Sequence, residues 1–224
     1  MSMAYTEIIT CPKCGKESEI TLWKSINVSL DREMFDTVRN GEAFMFTCPH
    51  CGERTRMDYG FLYHQMEDMI MIYYTHEDEV ETAYEIFCGN NSTSKMMEKM
   101  FDKKAGEKYL YRIVTSQNRL REKLVIFDEG LDDRIVEMMK LIYLGKIAED
   151  NPDLKISELL LYKPGDNEMI FEALFESGDI GHIDFDMEMY DALADFYLPK
   201  WPEIRNDDIV IDFNWAIQIT SEDN

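Results

Sequence analysis

The chain has 224 residues, enough for one large domain or two small ones, and its content of 45% hydrophobic and 12% aromatic residues supports a packed core without disulfides. Its net charge of -22, from 23 Lys+Arg against 45 Asp+Glu, argues against nucleic acid and anionic lipid as partners, because phosphates need clustered cations. Residues 127–224 hold 25 acidic and 7 basic side chains, a net of -18, against -4 for the first 126; this acidic half reads as a solvated surface or as a docking face for a cationic partner.

Met1 to Thr10 lacks the basic start and long apolar run of a signal peptide. Apolar stretches such as Met69–Tyr74 are too short to span a bilayer. The expectation is a cytoplasmic protein without membrane association, where paired cysteines read as metal ligands before they read as disulfides. Cys11-Pro-Lys-Cys14-Gly15 is the first such pair. Glu19–Val28 then reads as a strand, from its β-branched and aromatic residues and the alternation of Ile20, Leu22, Ile26 and Val28. Ser29 or Asp31 caps a short helix over Asp31–Asn40 with Met34, Phe35 and Val38 as its stripe, and Asn40-Gly41 ends it. Ala43–Thr47 is expected as a strand leading into the second pair, Cys48-Pro-His-Cys51-Gly52. Two more strands follow, Arg54–Leu62 and Met69–Thr75, with a turn near His64–Asp68.

Residues 76–106 are polar, with helical patterns around Glu79–Phe87 and Ser94–Phe101 and a mobile segment expected at Gly89–Ser94. Ser116–Phe127, with Leu120, Leu124 and Phe127, and Leu131–Glu149, with Ile135, Met138, Met139 and Ile142, carry helical spacing. The turn Gly130-Leu-Asp-Asp133 supplies a helix-ending glycine and an N-cap aspartate, which predicts an αα-hairpin. After Asn151-Pro152 the pattern changes. Lys155–Tyr162 and Met169–Glu176 read as strands around the turn Pro164-Gly-Asp-Asn167. Gly181–Asp184 reads as a third strand and Phe185–Leu198 as a helix closed by Pro199 and Pro202. Asp208–Thr220, with Trp215, is expected as a final strand. The fold class is therefore α+β: a zinc-ribbon-like N-terminal region with a helical insertion, a helical hairpin, then a small acidic α+β region. The expected domains are 1–150 (ribbon 5–75, helical part 79–150) and 151–224.

The two cysteine pairs share one form and are separated by a 33-residue spacer. Two cysteines three apart point at one ion when the chain makes a tight knuckle. Pro12 and Pro49 preset the backbone for that turn, and Gly15 and Gly52 take the positive φ that turns the following amides toward sulfur. Two knuckles supply four thiolates, a closed tetrahedral site, so Cys11, Cys14, Cys48 and Cys51 are expected to hold one structural Zn2+ with no position open for water or substrate. Four thiolates and one zinc sum to about -2, which Lys13, Lys16, Arg54 and Arg56 lie close enough in sequence to offset. Iron held as in rubredoxin uses the same four sulfurs. A lone redox pair between strand and helix does not match a duplicated knuckle, and disulfides require a secreted chain. His50 sits inside the second knuckle, where the thiolates already complete the set, and is expected to be exposed. Cys88 has no partner near in sequence and reads as a small buried residue or bystander thiol.

No other motif carries readable chemistry. His76-Glu-Asp-Glu79 reads as an exposed acidic helix start. His182 and Asp184, two apart on a strand, share a face and read as a surface pair. There is no phosphate-binding glycine loop, nucleophile elbow or His-Glu-x-x-His helix. The 16 methionines fall mostly at core positions.

The matched Cys-Pro-x-Cys pairs, together with Tyr111-Arg-Ile-Val114, Leu120-Arg-Glu-Lys-Leu124, Gly130-Leu-Asp-Asp-Arg134 and the helix through Lys140, resemble the CpXC protein family over roughly residues 9–145. That resemblance places the metal knuckles at Cys11, Cys14, Cys48 and Cys51 with Pro12 and Pro49. It implies a cytoplasmic prokaryotic protein and no particular activity. The leading expectation is a structural zinc-binding protein acting as a binding or adaptor module with a protein partner. The alternatives are an enzyme whose site lies between the two regions, supported only by polar groups such as His182 and Asp184, or a thiol redox protein. Nucleic-acid binding through the ribbon needs a basic groove lined by Lys13, Lys16, Arg54 and Arg56. The sequence does not fix an oligomeric state.

Overall fold

A computed structural model describes residues 2–87, 109–165, 168–201 and 208–222. The expectations for Cys88, for the segment 89–94 and for a helix over 94–101 lie outside these residues. The chain is mixed α+β and divides into two compact units, Met1–Arg121 and Glu122–Asn224.

The first unit runs β1 (Met3–Thr10), β2 (Glu17–Asn27), α1 (Met34–Arg39), a 3-10 turn (Glu42–Phe44), β3 (Met45–Thr47), β4 (Arg54–Arg56), β5 (Phe61–Gln65), β6 (Ile70–Tyr74), α2 (Val80–Phe87), β7 (Leu110–Val114) and the start of α3 (Gln117–Asp128). Five strands form one sheet in the order β1-β2-β5-β6-β7, while β3 and β4 form a separate hairpin. Pairing is antiparallel for β1 with β2 and for β5 with β6, and parallel for β2 with β5 and for β6 with β7. Alternation puts Phe61, Tyr63 and Gln65 on one face of β5, and all three are buried. Phe61 packs with Phe44 and Tyr74, ring centroids 5.3 and 6.3 Å away. The Arg39 guanidinium donates to Tyr63 Oη at 3.0 Å and Gln65 Oε1 at 3.2 Å. Arg121 Nε donates to the Arg39 carbonyl at 2.7 Å, which ties α3 to the end of α1.

The structure departs from expectation in particular places. β1 was not foreseen as a strand. The stretch Arg54–Leu62 is two strands, β4 and the start of β5, interrupted at 57–60. Ala43 and Phe44 belong to the 3-10 turn, so the strand before the second knuckle is only Met45–Thr47. Gly60 lies in this break, where a Cβ would meet the Tyr74 carbonyl oxygen at 2.9 Å.

On the opposite face of β5, His64 bridges two neighbours. Asn27 Nδ2 donates to its Nδ1 at 3.2 Å, and its Nε2–H donates to Tyr109 Oη at 3.0 Å. Burial lowers the His64 pKa from 6.5 to about 4. Between those two values the unfolded chain takes up a proton that the native imidazole refuses. Native stability therefore falls as pH drops from 6.5 toward 4, and this term is absent above 6.5. Urea midpoints of wild type and His64→Gln, measured above pH 6.5 and again within that window, should approach each other on acidification, because the variant lacks this term and loses less stability. An equal loss in both proteins would contradict this assignment.

The second unit holds the rest of α3, α4 (Asp133–Asp150), β8 (Ile156–Gly165), β9 (Glu168–Phe175), β10 (Ile180–Asp184), α5 (Met187–Tyr197) with a 3-10 turn (Leu198–Lys200), and α6 (Phe213–Glu222). The strands form an antiparallel sheet in the order β10-β9-β8. The turn between α3 and α4 follows the expected chemistry: Gly130 has φ 68°, Leu131 N–H donates to the Ile126 carbonyl at 2.9 Å, and Asp132 accepts from Arg134 N–H at 2.9 Å. Leu159, Leu161, Phe171 and Ala173 on one sheet face pack with Ile126, Ile135, Val136 and Met139.

The final element is a correction. Asp208–Thr220 is not a strand. Ile209 and Ile211 are buried in a stretch without regular structure, and Phe213–Glu222 is α6. Asp212 starts that helix, its carboxylate accepting from Trp215 N–H at 3.0 Å and its carbonyl from Ala216 N–H at 3.1 Å. Trp215 and Ala216 pack with Met138 and Ile211.

Polar side chains are also buried between α3 and α4. Lys140 Nζ lies 2.7 Å from Glu122 Oε1 and 3.0 Å from Glu137 Oε1. Lys123 Nζ lies 2.9 Å from Asp133 Oδ2 and 3.4 Å from Glu137 Oε1. Glu122 also accepts from Leu161 N–H at 2.7 Å, so one carboxylate joins both helices to β8. Although burial opposes it, Glu122 and Glu137 hold the Lys140 ammonium above the ordinary lysine range.

Candidate metal centre

The two knuckles are the turns of the two N-terminal hairpins. Cys11–Cys14 lies between β1 and β2, and Cys48–Cys51 between β3 and β4. Their backbones close identically. Cys11 N–H donates to the Lys16 carbonyl at 3.0 Å and Gly15 N–H to the Cys11 carbonyl at 2.9 Å; Cys48 N–H donates to the Glu53 carbonyl at 2.8 Å and Gly52 N–H to the Cys48 carbonyl at 2.9 Å. Gly15 and Gly52 adopt φ 68° and 73°, the left-handed turn that a Cβ resists.

This folding brings four sulfurs together. The Sγ atoms of Cys11, Cys14, Cys48 and Cys51 all lie within 4.8 Å of one another. Cys11 faces Cys51 and Cys14 faces Cys48, each pair at 3.7 Å. Cys11 and Cys48 are 1% exposed and pack with Ile20, Leu22 and Phe46, whereas Cys51 is exposed at the rim. Among the described residues this is the one cluster of three or more cysteine, histidine or acidic side chains able to hold an ion.

The donor set asks for a cation. The backbone amide of Cys14, working against burial, brings the Cys11 thiol down to about 7. Cys51 has the Glu53 amide in its favour, yet partial desolvation against its surroundings and the three neighbouring sulfurs push it up to about 12. One sulfur ionises readily and a second then resists, because four like charges cannot share so small a volume without a positive ion among them. Thiolates in that number suit zinc or iron.

Neighbouring charges are already engaged. Lys13 Nζ reaches Glu53 Oε2 at 2.8 Å, linking one knuckle to the other, and Arg54 Nη2 reaches Glu42 Oε2 at 2.6 Å. Two of the four cations that a nucleic-acid groove would need are thus paired with carboxylates. His50 is exposed, its Nε2 lying 3.3 Å from the Glu17 carbonyl and not among the sulfurs. His76 Nδ1 lies 3.8 Å from Asp58 Oδ2. His182 Nε2 lies 3.9 Å from Glu172 Oε2, across the β9–β10 pair, and both rings are well exposed. Among the described residues neither histidine joins a cluster able to hold an ion.

A family model described as CpXC protein matches residues 9–140. The chain belongs to the CpXC protein family. The match takes in both knuckles, the sheet from β2 onward, α3 and the first half of α4 with the buried charges between them, and it stops at Lys140. No curated protein and no solved structure matches the chain. Among the described residues no helix is long and apolar enough to cross a membrane.

The apolar stripes that predict α3 and α4 from the sequence say nothing of the charges buried between them. The available signal was the run of alternating sign, Glu122-Lys123 on one helix and Asp133, Glu137, Lys140 at helical spacing on the next, inside the CpXC-like stretch.

Proposed function

We propose that this chain is a zinc-stabilised binding module of the cytoplasm, in which the metal holds the knuckle-bearing unit together and recognition falls to protein surfaces. The observation that carries this reading is the convergence of four sulfurs from two identical knuckles. Four thiolates fill a tetrahedron, so an ion held there has no open position for water or substrate and serves structure. Such a role needs no redox change, which favours zinc over iron. A thiolate metal site of this kind fits a reducing compartment.

Elemental mass spectrometry of protein purified without added metal should find one zinc per chain. Iron in its place would reassign the ion, and no metal at all would overturn the reading. The charge of -18 on residues 127–224 supports a cationic protein as partner. Immobilised protein should then retain a specific partner at low salt and release it at high salt, and the absence of any specific partner at low salt would count against a binding role. The exposure of Cys51 favours one rival, a thiol redox protein. The elemental measurement separates the two, since redox cycling requires these sulfurs without a tightly held ion.

A further inference from the structure

We propose that β1 is a dimerisation edge, pairing antiparallel with β1 of a second copy of this chain about a twofold axis at Thr6. β1 ends the five-stranded sheet, and among the described residues β2 is the one strand paired with it. Edge strands are normally shielded by being short, by a lysine or proline, or by a central bulge. β1 has eight residues, MAYTEIIT, with no lysine, arginine or proline, and its irregularity sits at its outer end between Met3 and Ala4. It also exposes two large apolar side chains, Met3 at 57% and Ile8 at 67%.

Charge and side-chain alternation select the second copy and the register. When two identical strands meet about an axis perpendicular to their sheets, facing residues share a face, so the axis passes through a residue. Centring on Glu7 would set two carboxylates directly opposite each other, which is unfavourable. Centring on Thr6 places Thr6 against Thr6, Tyr5 against Glu7, Ala4 against Ile8 and Met3 against Ile9. Both exposed apolar residues then gain a hydrophobic neighbour. Tyr5 faces Leu22 in the β1–β2 register, and Lys24 Nζ stands 5.6 Å from the centroid of the Tyr5 ring. The register therefore brings Glu7 of the second copy up beside Lys24, and the twofold repeats the pair. The result is one continuous sheet of twice five strands.

This inference is independent of the metal, and the tests use the whole chain as purified. Sedimentation velocity should give about twice the 26.4 kDa chain mass, falling toward one chain on dilution. Glu7→Lys turns both Glu7–Lys24 pairs repulsive and should raise the dissociation constant about tenfold or more. Ile8→Lys should do the same by placing charge on the edge. Both positions are exposed, so an unchanged circular dichroism spectrum is expected in each variant. The double variant Glu7→Lys/Lys24→Glu should restore association, a result that a merely structural role for either residue would not give. A monomer at every concentration overturns the proposal and leaves the edge to a strand of another protein. A dimer indifferent to all three variants overturns it in favour of a different surface.

Discussion

Cys48→Ser is expected to strip the metal and unfold the first unit. Cys48 is 1% exposed among Ile20, Leu22 and Phe46, and a serine hydroxyl there neither ionises nor binds zinc as a thiolate does. A structural zinc contributes on the order of 10–16 kcal/mol in apparent terms, while a domain's whole stability is about 5–15 kcal/mol. If the proposed structural ion is bound, removing one ligand of four removes most of what keeps the two hairpins folded. Metal content and amide exchange should be measured together: bound metal should vanish and protection should collapse across β1, β2, β5 and β6. Metal lost with protection intact would mean that the aromatic core around Phe44, Phe61 and Tyr74 holds the unit unaided.

Lys140→Met carries the second large effect. It leaves Glu122 and Glu137 buried without the ammonium that lies 2.7 and 3.0 Å from them. Breaking one side of a buried ion pair destabilises by about 3–5 kcal/mol. The double variant Glu122→Gln/Lys140→Met should recover part of that loss, because the amide oxygen still accepts from Leu161 N–H and one buried charge has gone. Lys163→Met, whose partner Glu129 lies at a solvent-accessible pair, should change stability by no more than roughly 1 kcal/mol. Urea denaturation of the three proteins ranks these effects. A loss at Lys140 no larger than at Lys163 would show that water reaches the network.

The cysteine centre was legible in the sequence because its geometry is local. Proline before and glycine after each pair fix the turns within five residues, and only the meeting of the two knuckles is a long-range event. The α3–α4 turn was legible for the same reason, through Gly130 and Asp132. β1 was not, because most of its side chains are exposed and an edge strand bears little of the alternation that burial imposes. α6 was not legible because Ile209 and Ile211 alternate as strand residues do, and that period runs up to Asp212, where an N-cap changes it. The buried ions of α3 and α4 were hidden by their residue types, since glutamate and lysine are seldom fully buried unless they pair, and pairing is visible only in three dimensions.

The parallel pairing of β2 with β5 has a consequence for how the nascent chain assembles. Everything between those strands, including the hairpin that bears Cys48 and Cys51, is a crossover, and parallel neighbours of this kind are slow to find one another. A metal gripping both knuckles closes the 34-position span from Cys14 to Cys48, a closure whose entropy amounts to about 3 kcal/mol. Both knuckles are complete by residue 51, ahead of β5, β6 and β7 in chain order. An ion bound there would hold the crossover against the first hairpin before β5, β6 and β7 have paired, making metal capture a step that speeds the folding of this unit as well as one that stabilises the finished protein.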